Sequence, residues 1–225
     1  MAAYAKTPLR NNPAGFFIAY TTKEDEVPFP QLSLSTWCYF LFGVVLLALS
    51  AAANKLNPWL QFSTELIQNG DYWRIYTAHL GHLNLAHGLM NVLGFWACCY
   101  FFADVYRLRY FAIWLLLGAP AISLAILCCD PPLPHYLGLS GLLYGWLMFA
   151  IVAGFRTQPW LHGLGFVVLA GRIGWEQTPS YNTGYLLDNI GGLVYVNAHL
   201  YGAIFGLMMG LIVLSFGLRK QQASL

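Results

Sequence analysis

The chain has 225 residues, 58% of them hydrophobic and 9% charged, with a mean hydropathy of +0.56 and a formal net charge of +2. A soluble domain averages about 45–50% apolar and about 25% charged residues, so a water-exposed globule would lack the polar surface it needs. The small net charge also argues against nucleic acid as a partner. The composition is that of an integral membrane protein.

Residues 1–36 are polar, contain Pro8, Pro13, Pro28 and Pro30, and show no periodicity. They read as a cytosolic amino-terminal extension. The first apolar run ends in Ala51-Ala52-Ala53-Asn54, which superficially resembles a signal-peptidase site. A secretory signal lies within about the first 15–30 residues, behind a short basic region. This run begins later, so a retained span is expected.

Runs that could cross a hydrocarbon layer of about 30 Å, at about 20 residues each, fall near 37–55, 83–104, 108–128, 139–156, 160–176 and 194–217. They are near-continuous rather than alternating, and lipid offers backbone groups no partner, so they are expected to be helices. Six crossings put both ends on one side. With the amino terminus inside, Lys6, Arg10, Lys23, Arg107, Arg109, Arg156, Arg219 and Lys220 are inner, while Lys55, Arg74 and Arg172 are outer. That asymmetry follows the positive-inside tendency. The expectation is an all-α membrane protein with a six-helix membrane domain over 37–217 and a cytosolic tail over 218–225. The outer segments are then 56–82, 129–138 and 177–193, the first carrying Trp59, Tyr72 and Trp73, side chains suited to a membrane interface. Cys38, Cys98, Cys99, Cys128 and Cys129 sit in or beside apolar runs without a C-x-x-C pattern, and read as packing residues.

Polar side chains inside spans are costly, so each is a candidate for function. Ser140, in Gly138-Leu139-Ser140-Gly141, follows a loop with Pro131, Pro132 and Pro134. That places it in the first turn of the fourth span, where free backbone N–H groups can stabilise an oxyanion. A helix-capping serine is the alternative. His199 shares a helix face with Gly202, Gly206 and Gly210, a small-residue stripe that permits close helix contact. Gly141 and Gly145 make a matching face beside Ser140. Packing the two stripes together would bring serine and histidine to similar depth; otherwise His199 is a hydrogen-bonded histidine inside the bundle.

His87 and Asn91, four apart, point the same way and could donate hydrogen bonds to a developing oxyanion. Polar adhesion between helices is the other reading. His79, His82 and His87 cluster, but without H-E-x-x-H spacing or a nearby acid, so no metal is expected. His82 is expected to hydrogen-bond within the outer loop. Tyr144, one turn after Ser140, could pack on the His199 ring. Arg172 and Glu176, at i and i+4, suggest an ion pair or snorkelling near an outer helix end. Asp188 is the only carboxylate of the last outer segment, and nothing in its spacing marks it as orienting His199. A Ser140–His199 dyad is therefore expected rather than a triad.

In order along the chain stand Trp73-Arg74, His82, His87-x-x-x-Asn91, Gly138-x-Ser140-Gly141 with Tyr144, and Ala198-His199-x-x-Gly202-x-x-x-Gly206. This ordered set resembles the rhomboid intramembrane serine proteases over about 71–210. The resemblance implies Ser140 as nucleophile, His199 as general base, and His87, Asn91 and the Ser140 N–H as oxyanion hole. It also implies support of His199 by Tyr144, close helix contact at Gly202, and placement of Trp73-Arg74 in the outer leaflet. Gly138 and Gly141, which flank the serine, complete the supporting set.

The Trp175-Glu176-Gln177 segment and the Asn197–Gly202 stretch further resemble the rhombosortase branch. Those enzymes process proteins with a Gly-Gly carboxy-terminal sorting tail in the inner membrane of Gram-negative bacteria. No cofactor is implied; the implied partners are the lipid bilayer and single-pass membrane substrates, with the site toward the periplasm. Two other functions compete: a catalytically inactive rhomboid-like scaffold, and a haem- or metal-binding bundle using His82, His87 and His199.

Overall fold

A computed structural model of the chain describes residues 33–222, so most of the expected amino-terminal extension, and residues 223–225 of the tail, lie outside it. The described residues form α1 (Leu34–Ala51), α2 (Ala53–Leu60), α3 (Thr64–Gln68), α4 (Arg74–Thr77), α5 (Leu85–Phe101), α6 (Leu108–Ile113), α7 (Ala119–Cys129), α8 (Ser140–Ala153), α9 (Pro159–Glu176), α10 (Leu187–Ile190) and α11 (Asn197–Gln222). Six long helical segments coincide with the six expected runs, their ends shifted by a few residues. Three are long and apolar enough to cross a membrane: α1, the continuous Leu108–Cys129 segment, and Asn197–Phe216 of α11. Helices α5 and α8 are apolar but shorter. Helix α9 is interrupted in character by His162, Arg172 and Glu176.

Local chemistry sets several boundaries. Ser33 caps α1 by accepting the Thr36 N–H at 3.2 Å, and Asn84 caps α5 by accepting the His87 N–H at 2.8 Å. Between α6 and α7, residues Trp114–Gly118 form a π-helical turn. Pro120 follows it and has no N–H to give the carbonyl four residues back, that of Leu116. The Tyr76 hydroxyl donates to that carbonyl at 3.4 Å.

Helix α8 is the centre of the bundle, buried at Gly141, Leu142, Gly145, Trp146 and from Met148 to Val152. Helix α11 lies along it, α9 packs on another side, and α1 packs against α5. Lipid is as apolar as a core side chain, so close packing and hydrogen bonds must hold such helices together. The Trp114 indole donates to the Leu142 carbonyl at 2.8 Å, and the Tyr106 hydroxyl donates to the Trp146 carbonyl at 2.9 Å. The Tyr106 ring also stacks on Trp146, with centroids 4.0 Å apart.

The segment from α2 to α4 is pinned from beneath. Arg74 is buried, donating to the carbonyls of Pro58 and Gln61 and pairing with Asp71 at 2.9 Å. Phe62 and Tyr136 exchange backbone hydrogen bonds in one antiparallel bridge, tying this segment to the loop before α8. Trp59, Tyr72 and Trp73 are 67%, 66% and 47% exposed. Their pinned backbone with outward aromatic rings suits the boundary between water and lipid.

Candidate active site

The site begins with glycine. A Cβ placed on Gly141 would stand 2.8 Å from the Ala198 carbonyl oxygen, and one on Gly145 would stand 2.5 Å from that of Gly202. On the facing helix, a Cβ on Gly202 or Gly206 would collide with the Gly141 or Gly145 carbonyl. Backbone therefore meets backbone along the α8–α11 seam, with no room for a side chain.

At the amino-terminal end of α8 along that seam, Ser140 Oγ lies 2.9 Å from His199 Nε2. Ser140 is the first residue of α8 rather than its cap; Leu139 holds the cap position, without a side-chain bond. The capping alternative thus gives way to a contact with the neighbouring helix. The His199 ring stacks on Tyr144, centroids 4.1 Å apart and planes 7° from parallel.

The far nitrogen of His199 has a partner that the sequence did not announce. Glu176 Oε2 lies 2.8 Å from His199 Nδ1. The other oxygen, Oε1, accepts from the Tyr144 hydroxyl at 2.9 Å and pairs with Arg172 at 3.0 Å. The expected Arg172–Glu176 ion pair is present, but it is one arm of a larger network. Glu176 thus lies in line with His199 and Ser140, a carboxylate that the expected two-residue arrangement did not include. Asp188, the carboxylate weighed for that position, is exposed on α10. A usable signal did exist: Glu176 is an acid at the carboxy-terminal end of an apolar helix.

Donors gather on the other side of Ser140. Gly138 has φ +145°, a backbone conformation L side chains rarely adopt. It is held there by its N–H to the Ala78 carbonyl at 2.9 Å and by the Tyr136 hydroxyl on its own carbonyl at 2.9 Å. The space left by its missing Cβ is bounded by His87 Cε1 at 3.1 Å, His87 Nε2 at 3.5 Å and Ser140 Oγ at 3.7 Å. The Leu83 N–H approaches His87 Nδ1 at 3.5 Å. With Nδ1 accepting, neutral His87 carries its proton on Nε2 and presents a donor. Asn91 is buried and uses one amide hydrogen on the His87 carbonyl at 3.1 Å, keeping the second. As the first residue of α8, Ser140 also has an N–H with no acceptor inside its helix.

The other histidines hold the scaffold. His82 accepts at its carbonyl from Asn57 at 2.9 Å, within the segment expected, and its ring Nδ1 also meets Ser50 Oγ of α1 at 3.1 Å. His79 Nε2 meets Ser123 Oγ at 2.9 Å, joining the outer segment to α7. Burial pushes His79 down to about 4, so it serves this contact as a neutral ring. Asp130, unremarked in the sequence, accepts from Tyr195 at 2.7 Å and from Asn197 and Tyr201 at 2.8 Å each. It fastens the end of α7 to the start of α11, two residues before His199.

Asn91→Ala is expected to lower turnover by on the order of 100- to 1,000-fold, the cost of one oxyanion donor, with little change in substrate affinity. Turnover per folded molecule and melting temperature, taken on one preparation, check it. Unchanged turnover with an earlier melt would make Asn91 an adhesive residue.

Apolar helices packed around a part-buried serine–histidine contact are those of a multi-pass helical membrane protein. The rhomboid-domain profile matches residues 69–216, more than half of the chain, and takes in α4 through most of α11. The chain belongs to the rhomboid family, whose members are generally intramembrane serine proteases. No individually curated protein matches it.

Proposed function

We propose that the protein is an intramembrane serine endopeptidase that cleaves single-pass membrane proteins near their outer ends. The observation carrying this reading is the 2.9 Å contact of Ser140 Oγ with His199 Nε2 at the head of the glycine seam. Ser140 is the nucleophile and His199 the general base. His87, Asn91 and the Ser140 N–H form the oxyanion hole, with Tyr144, Gly138, Gly141 and Gly202 in support.

Helix length supports a buried site. Fourteen residues of α8 rise about 21 Å, against a hydrocarbon layer of about 30 Å. With its inner end at the inner boundary, α8 would place Ser140 about 9 Å below the outer one. In this reading residues 37–217 make six crossings of a bacterial inner membrane, both termini are cytoplasmic, and the site opens toward the periplasm. The rhombosortase-like segments, Trp175-Glu176-Gln177 and Asn197–Gly202, support a substrate bearing a Gly-Gly carboxy-terminal sorting tail.

A fluorophosphonate probe tests the reading: an activated serine oxygen bonds to its phosphorus as fluoride leaves. The detergent-solubilised native chain should label, and Ser140→Ala should not. Absence of labelling in the folded native chain would instead favour an inactive scaffold that binds membrane clients.

A further inference from the structure

We propose that Glu176 is a positioning residue for His199, so that the site works as a Ser140–His199–Glu176 relay; this rests on the protease reading above. The Glu176 side chain is 0% exposed, and its Oε2 lies 2.8 Å from His199 Nδ1. A carboxylate accepts and does not donate, so the bond fixes the histidine proton on Nδ1 and leaves the Nε2 lone pair facing the serine hydroxyl. The Tyr144 ring, stacked on the imidazole, sets the plane of the histidine while Glu176 sets its rotation within that plane. Tyr144 also donates its hydroxyl to the carboxylate, so both supports of His199 are joined to each other.

The chemistry follows from that arrangement. Ser140 Oγ bonds to the carbonyl carbon of the scissile peptide as the carbonyl π pair moves onto oxygen. The Oγ proton passes to Nε2. The imidazolium so formed has its Nδ1–H on Glu176, whose negative charge offsets the new positive one. The same proton then moves to the amine nitrogen as the C–N bond breaks, leaving the acyl-enzyme.

A purely structural role would be different. Glu176 would serve to fasten α9 to α8 through Arg172 and Tyr144, and its effect would be felt in stability. The two roles separate in a comparison of Glu176→Gln with Arg172→Gln. Glutamine keeps the size of the side chain but can turn its NH₂ to Nδ1, which selects the wrong histidine tautomer. The relay then requires fluorophosphonate labelling of Glu176→Gln to fall by about 100- to 10,000-fold, through kcat rather than KM for a cleaved substrate, at little change in melting temperature. Arg172→Gln removes the half-exposed arm of the network and should slow labelling less than about tenfold.

Glu176→Asp provides a check that does not depend on the glutamine variant folding. It keeps the charge but draws it back by one methylene, and should restore most of the rate lost in Glu176→Ala. Equal labelling of native and Glu176→Gln proteins, or equal losses in Glu176→Gln and Arg172→Gln tracking their melting temperatures, would overturn the relay while leaving Ser140 and His199 in place. No labelling of the native chain would remove the protease reading itself.

Discussion

Ser140→Ala and His199→Ala are each expected to abolish cleavage, with losses on the order of 10⁴- to 10⁶-fold, and the double variant should be little worse than either. The two side chains touch at 2.9 Å. Without His199 the hydroxyl has no acceptor for its proton, and without the hydroxyl the imidazole has nothing to activate. Residues that act as one unit give losses that do not add. The residual rate should come from the oxyanion donors, which neither substitution removes. Turnover of a membrane-anchored reporter by the three variants, normalised to folded protein, checks this. Losses that multiply in the double variant would show that serine and histidine act separately.

Gly202→Val should be severely damaging although Gly202 carries no reacting group. A Cβ at Gly202 already collides with the Gly141 carbonyl, and a backbone oxygen inside α8 cannot turn aside as a flexible side chain can. The helices must therefore part at the level of Ser140 and His199. Misplacement of about 1 Å can cost on the order of 100-fold in rate, and two added methyl groups demand more than that. The expected result is loss of activity beyond about 100-fold with a lowered melting temperature. Gly171→Ala is the control, because a Cβ there meets nothing within 4 Å. Normal turnover by Gly202→Val would mean that the seam does not set the distance between serine and histidine.

Much of this arrangement was legible in the sequence because it rests on periodicity. Long apolar runs announce helices, and glycines four apart on two of them announce a close pair. From those, the meeting of Ser140 with His199 and the stacking of Tyr144 followed. Contacts without a periodic signature were not legible. Glu176 had a satisfactory local explanation in Arg172, four residues before it, and its reach to α11 depends on where α9 packs. His82 likewise found Ser50 of α1, thirty-two positions away. Arg74 is held by backbone carbonyls of Pro58 and Gln61, and carbonyls are the same in every residue. The clamp on Gly138 needs Ala78 and Tyr136 together, which only the folded loops supply.

The seam between α8 and α11 has a mechanical consequence. Two helices in contact through their backbones cannot slide or tilt against each other without collision, so they behave as one rigid block carrying Ser140 and His199. Any movement of one helix therefore carries the other, and the 2.9 Å contact moves with the pair. Helix α9 is joined to this block through side chains: Glu176 reaches Tyr144 and His199, and His162 meets the Ile151 carbonyl. The carboxylate that faces the histidine thus stands on a different body from the histidine itself.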